Sequence, residues 1–218
     1  MSDDDLEALA LLHDPVRRSL YEAVAGSGGD LGRGEAAELT GVSRTLAGHH
    51  LDKLVDAGLL ESTFRQQEKK GPGSGRPAKV YRRAGGERSV SLPPRDYVAL
   101  ASVLAEVVDS LGAEEAAEKA ARAAGERLGR GRSEPVEAVL RERGYEPYAE
   151  GGTLRMRNCP FHVLSHEQPL LVCSMNLALC QGVLEGLGDD PGRARLDPRP
   201  GECCVALSET KDSKTKED

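Results

Sequence analysis

Apolar residues recur at three- and four-residue spacing from the start of the chain: Leu6, Leu9, Leu12, Val16, Leu20 and Val24. This period predicts an amphipathic helix over residues 5–25. Pro15 is placed to split or kink it, because proline cannot donate an amide inside a helix. Glycines at 26, 28 and 29 end the segment. A short helix is expected over residues 33–39, closed by Gly41, and Ser43 is placed to cap the next one. That third helix carries Leu46, Leu51, Leu54 and Val55 on the side expected to face inward, and Gly58 stops it. Residues 59–65 and 78–83 read as two strands. The segment between them, rich in Lys, Gly and Pro, reads as a mobile hairpin tip.

Pro93 and Pro94 mark a boundary. Beyond it Tyr97, Leu100, Val103, Leu104, Val107, Val108 and Leu111 fit an amphipathic helix, followed by an alanine-rich helical stretch over 113–128 and a break at 129–132. The remainder reads as helix 135–143, strands 145–149 and 153–158, helix 170–187, and a strand around 203–207. There are no internal repeats. The pattern predicts an α+β protein with four segments. These are an N-terminal three-helix-plus-hairpin domain (1–90), a connecting helical dimerisation region (94–130), a small C-terminal α/β module (133–208) and a charged, disordered tail (209–218).

At 39% hydrophobic and 30% charged residues, the 218-residue chain has the make-up of a globular protein able to bury a core. No apolar run approaches the roughly 20 residues that span a bilayer, and the chain begins with an acidic stretch rather than a secretory leader. The expectation is a cytoplasmic protein with no membrane partner. The net charge of −7 argues against nucleic acid when taken as a sum. Its distribution argues the other way. Between Ser62 and Arg88 the eight cations Arg65, Lys69, Lys70, Arg76, Lys79, Arg82, Arg83 and Arg88 face only Glu68 and Glu87.

Three helices followed by a basic two-stranded hairpin form a winged helix-turn-helix, in which the helix from Ser43 enters the major groove. With the apolar positions turned inward, Ser43, Arg44, Thr45, Gly48, His49 and Lys53 are the expected DNA-facing residues. Arg44 and Thr45 stand at the helix N-terminus, where base edges are reached first. Lys69, Lys70, Arg76 and Lys79 on the hairpin would follow the phosphate backbone or the minor groove. The bland alternative is a small helical domain with a solvated charged face. Double-stranded DNA bound by a homodimer implies a pseudo-palindromic operator.

Val42 to Leu46, His50 to Leu60 and Gly75 to Arg82 resemble the ArsR-type winged-helix regulators, and the Gly75-Arg76-Pro77 wing resembles their SufR-like branch, regulators of iron–sulfur cluster assembly. The likeness is good over the first 90 or so residues and thinner beyond. There Cys159, Cys173 and the Cys203/Cys204 pair match cysteine positions used by that branch. The resemblance implies a repressor whose Cys159, Cys173 and one of Cys203 and Cys204 hold a [4Fe–4S] or [2Fe–2S] cluster for redox sensing. The chain departs from the four regularly spaced cysteines of some members, which leaves the fourth ligand open, with His162 or His166 able to fill it.

From the residues alone the picture is less specific. Five cysteines cannot all pair. The intervals Cys-x13-Cys and Cys-x29-Cys or Cys-x30-Cys are not a compact zinc or ferredoxin spacing. If Cys203 and Cys204 lie on a strand, alternation lets only one reach a shared site. Cys180 lies about 10 Å along the helix from Cys173, which favours packing. Zinc on Cys159, His162, Cys173 and Cys203 or Cys204 and a metal-free set of buried thiols both stay open, as does a small-molecule pocket in the C-terminal module. His13 and His50 read as structural. Cys159 with His162 lacks the orienting partner that nucleophilic catalysis needs, so no enzyme is expected.

Overall fold

The computed structural model describes residues 3–65, 77–88, 90–91 and 93–209. Lys69, Lys70 and Arg76, most of the expected hairpin tip and nearly all of the expected tail therefore lie outside the described residues. The chain divides into two compact units, Met1–Arg95 and Asp96–Asp218.

In the first unit the long apolar stripe is two helices, α1 (Asp3–Leu11) and α2 (Pro15–Gly26). The split falls at Pro15, which occupies the first helical position, where a missing amide costs nothing. Asp14 caps the new start by accepting from the amides of Val16 (2.9 Å) and Arg17 (3.0 Å). A two-residue strand, β1 (Leu31–Gly32), leads into α3 (Arg33–Thr40) and α4 (Arg44–Asp56). Gly41 makes the turn between them at φ +70°, a conformation only glycine adopts cheaply. Ser43 Oγ then accepts from the Leu46 amide at 3.2 Å. Strands β2 (Leu60–Arg65) and β3 (Ala78–Arg83) pair antiparallel with Leu60 opposite Arg83, and β1 joins the far edge of β3 in a sheet ordered β1-β3-β2. Leu20, Val24, Ala36, Ala47, Leu51, Leu54, Leu60 and Tyr81 close the core.

The second unit begins with α5 (Tyr97–Leu111) and α6 (Glu114–Gly129), followed by α7 (Val136–Arg141), β4 (Pro147–Glu150), β5 (Thr153–Met156), α8 (His162–Glu167), α9 (Pro169–Gly186), β6 (Ala194–Leu196) and β7 (Val205–Ser208). The four strands form an antiparallel sheet ordered β4-β5-β7-β6. From residue 96 on, the expected connecting region falls in the same compact unit as the cysteines, with α6 running along α9. Glycines make that approach possible. A Cβ at Gly125 would stand 2.0 Å from the Leu179 carbonyl oxygen, and one at Gly182 2.0 Å from that of Arg122. Arg122 adds a two-pronged bond to Glu185 at 2.7 and 2.9 Å.

Helix α9 alone among the described helices has the length and composition of a membrane span. It is the core helix of this unit instead, burying Cys180, Val183 and Leu184 with Tyr145, Met156 and Val205.

Candidate functional site

Helix α4 presents Arg44, Thr45, His49 and Lys53 to the outside. Two positions on it differ from expectation. Leu46, expected in the core, is 41% exposed, and Gly48, expected to face outward, is buried. The inward stripe keeps the expected Leu51 and Leu54 but takes Ala47 in place of Leu46, which turns out on the side of His49 and Lys53. Gly48 lies under the Arg33 side chain: a Cβ there would come 2.7 Å from Arg33 Cδ. Arg44 folds back over Gly34, so its guanidinium lies at the start of α3.

The basic island is less free than its sequence implies. Lys79 Nζ binds Asp52 Oδ1 at 2.6 Å, and the Tyr81 hydroxyl donates to the same oxygen at 2.9 Å. Burial opposes ionisation of Asp52, yet these two donors hold its carboxyl below the usual range. Arg82 pairs with Glu61 (2.7 Å), Arg65 with Glu35 (3.8 Å) and Arg88 with Asp5 (2.9 Å). The exposed pairs of Arg82 and Arg65 are weak and can exchange for phosphate oxygens, whereas the Arg88–Asp5 pair is half-buried. His50 is buried and accepts from Arg17 Nε at 3.3 Å. Burial lowers its pKa, against the pull of Asp14.

In the second unit four of the five cysteines come together from three segments. Cys159 follows β5, Cys173 sits near the start of α9, and Cys203 and Cys204 precede β7. Cys203 interacts through its side chain with both Cys159 and Cys204, and Cys204 with Cys173. The expectation that only one of Cys203 and Cys204 reaches the site assumed that both lie in a strand. They lie in the turn before it, where the alternation of a pleated strand does not apply. That turn is anchored at both ends of the pair. Cys203 N–H donates to the Met156 carbonyl (2.9 Å), and Asp197 N–H to the Cys204 carbonyl (2.8 Å). Buried Arg155 ties it further by ion pairs to Asp197 and Glu202.

The electrostatics follow from this row of sulfurs. Hydrogen bonding from Cys159 and Cys204, aided by the Val205 amide and Asn176, holds Cys203 well below the ordinary thiol range despite its burial. The Cys159 thiol is pushed up by its bond to Cys203 and by burial, and the Cys204 thiol likewise. All five cysteines are free. Among the described residues no group of three or more His, Cys, Asp or Glu side chains is placed to hold a metal ion. Ligation would replace the contacts between sulfurs, because a metal takes deprotonated ligands.

His162 does not join the row. It is exposed, its ring lies edge-on to His166 at 4.5 Å, and neither ring is among the groups perturbing the thiols. Cys180 stands apart, with its thiol pushed up to about 12 by burial. The sequence reading missed Asn176 and Tyr145, both buried beside the sulfurs. The signal was available: Asn176 interrupts an apolar helix three residues after Cys173 and four before Cys180.

Residues 11–63, from the end of α1 into β2, match the family model of a helix-turn-helix domain. No characterised protein and no solved structure matches the chain. The helix-turn-helix match supports a DNA-binding regulator.

Proposed function

We propose that the protein is a homodimeric winged-helix transcriptional repressor of the SufR-like kind, whose C-terminal thiols hold an iron–sulfur cluster that tunes operator affinity. The observation that carries the sensor half is the convergence of Cys159, Cys173, Cys203 and Cys204 from three segments. By donor chemistry four thiols would suit an iron–sulfur cluster and equally a tetrahedral zinc ion once their side chains shift from the present row, and both would do without His162. The iron–sulfur choice rests on the resemblance of the Gly75-Arg76-Pro77 segment and of the cysteine positions. Bound there, the cluster supplies a redox-sensitive cross-link among the β5 end, α9 and the turn before β7.

This chain has a route from such a cross-link to its own surface. Cys159 and Cys173 bracket α8, and Glu167 at the end of α8 accepts from Ser102 of α5 at 3.1 Å. Helix α5 buries none of its residues and exposes Tyr97, Leu100, Val103, Leu104, Val107 and Leu111. A second copy of the chain covers this face in the proposed dimer. Fixing α8 from both sides biases how α5 meets its partner. In each half-site Arg44 and Thr45 reach base edges first, His49 and Lys53 follow, and Lys79 exchanges Asp52 for a phosphate. Two-fold symmetry places the half-sites about 34–36 Å apart or a multiple of it.

The test is to select an operator from a randomised duplex pool with anaerobically loaded protein and compare affinities before and after cluster removal. A pseudo-palindromic site whose affinity changes on removal supports the reading. Unchanged affinity removes the sensor role.

A further inference from the structure

Beside the four thiols lies a buried polar network with no structural need to be polar. Tyr145 and Asn176 are each 1% exposed, among Val139, Leu140, Met156, Val183 and Leu184. A leucine and a phenylalanine would fill these places without the cost of burying an amide and a hydroxyl. The hydrogen bonds show what the polar groups do. The Tyr145 hydroxyl donates to Asn176 Oδ1, and the Cys180 thiol donates to the same oxygen at 3.9 Å. With its oxygen engaged from one side, the amide can only turn its N–H groups the other way. There Nδ2 donates to Cys203 Sγ at 3.2 Å and reaches Cys204 Sγ at 4.0 Å.

We infer that Asn176 is a positioning residue for a sulfur-ligated metal: its amide donates to the Cys203 sulfur and fixes its place, and Tyr145 locks the amide. The inference rests on the reading of the thiols as a metal site, but not on that metal being iron. An N–H donor facing a ligand sulfur stabilises charge on it, and such supporting partners are typically worth 10–100-fold in metal affinity. Position 176 serves because α9 also carries Cys173 one turn earlier, so a single helix supplies both a ligand and the donor to the ligand from the turn before β7.

The experiment titrates the reduced full-length protein with Co(II) under anaerobic conditions, reading the thiolate-to-cobalt charge-transfer band. The wild type is expected to bind with a band characteristic of several thiolates. Asn176→Leu, matched in size, should bind about 10–100-fold more weakly, with the band moved to longer wavelength because the sulfur has lost its donor. Tyr145→Phe should shift both readouts in the same direction by less, and it keeps the test decisive if Asn176→Leu does not fold. A merely structural role would leave the band position of the bound form unchanged. Wild-type affinity and band position in both variants, or no Co(II) binding by the wild type, overturns the inference. Co(II) binding with the expected variant effects but no iron–sulfur assembly would overturn the cluster reading and leave this one standing.

Discussion

His50 shows how one buried side chain couples the DNA-binding unit to pH. Burial lowers its pKa below the ordinary 6.5, so the folded state binds its proton less readily than the unfolded chain does. Its contribution is therefore full above about pH 6.5 and is lost as pH falls through the lowered value. Urea midpoints should drop between pH 7 and 5, and His50→Gln should flatten that slope. Arg44, Lys53 and Lys79 are expected to act on DNA rather than on stability. Arg44→Ala should weaken operator binding by about 1–3 kcal/mol and relax preference at one position, whereas Lys53→Ala should weaken all sequences alike and lower the salt slope by about one. Titrations at several salt concentrations separate the two. Residue-level reading of α4 from the sequence went astray because it ranked positions by side-chain apolarity. The core accepts Ala47 and His50 and leaves Leu46 outside, a choice made by how α2 and α3 pack against α4, which the spacing within α4 alone does not carry.

At the scale of elements, local chemistry was legible and close approach was not. Pro15 with Asp14, Gly41 with Ser43, and Gly58 punctuate the first unit through rules that act over four residues, and the structure places its breaks there. Strands β1 and β6 went unseen because two or three residues carry no alternation. The glycines of α6 and α9 went unread because their meaning exists only once the helices meet. With a Cβ at Gly182 only 2.0 Å from a backbone oxygen, no side-chain rotation relieves the clash. Gly182→Ala should therefore destabilise the second unit by about 1–3 kcal/mol or more, read as a lowered thermal midpoint. Helix α5 makes the opposite prediction. Leu100→Glu with Leu104→Glu should leave the fold intact by circular dichroism and convert the dimer to a monomer by light scattering. A dimer that persists would place the interface elsewhere.

For the whole molecule, the convergence of the four thiols was hidden in the sequence by intervals that fit no compact motif. It emerges because the β-sheet brings the end of β5 beside the start of β7 while α9 packs over β7 and β6. The turn holding Cys203 and Cys204 is fixed by Arg155 and backbone bonds before any ion arrives. The central claim is that this site holds an iron–sulfur cluster in a DNA-binding regulator. Its most direct test is an absorption spectrum, with iron, sulfide and zinc analysis, of protein purified without oxygen. The account predicts brown protein with matched iron and sulfide, and loss of both in Cys159→Ser and Cys203→Ser but not in Cys180→Ser. Colourless protein that holds stoichiometric zinc, or no metal after anaerobic reconstitution, would contradict it.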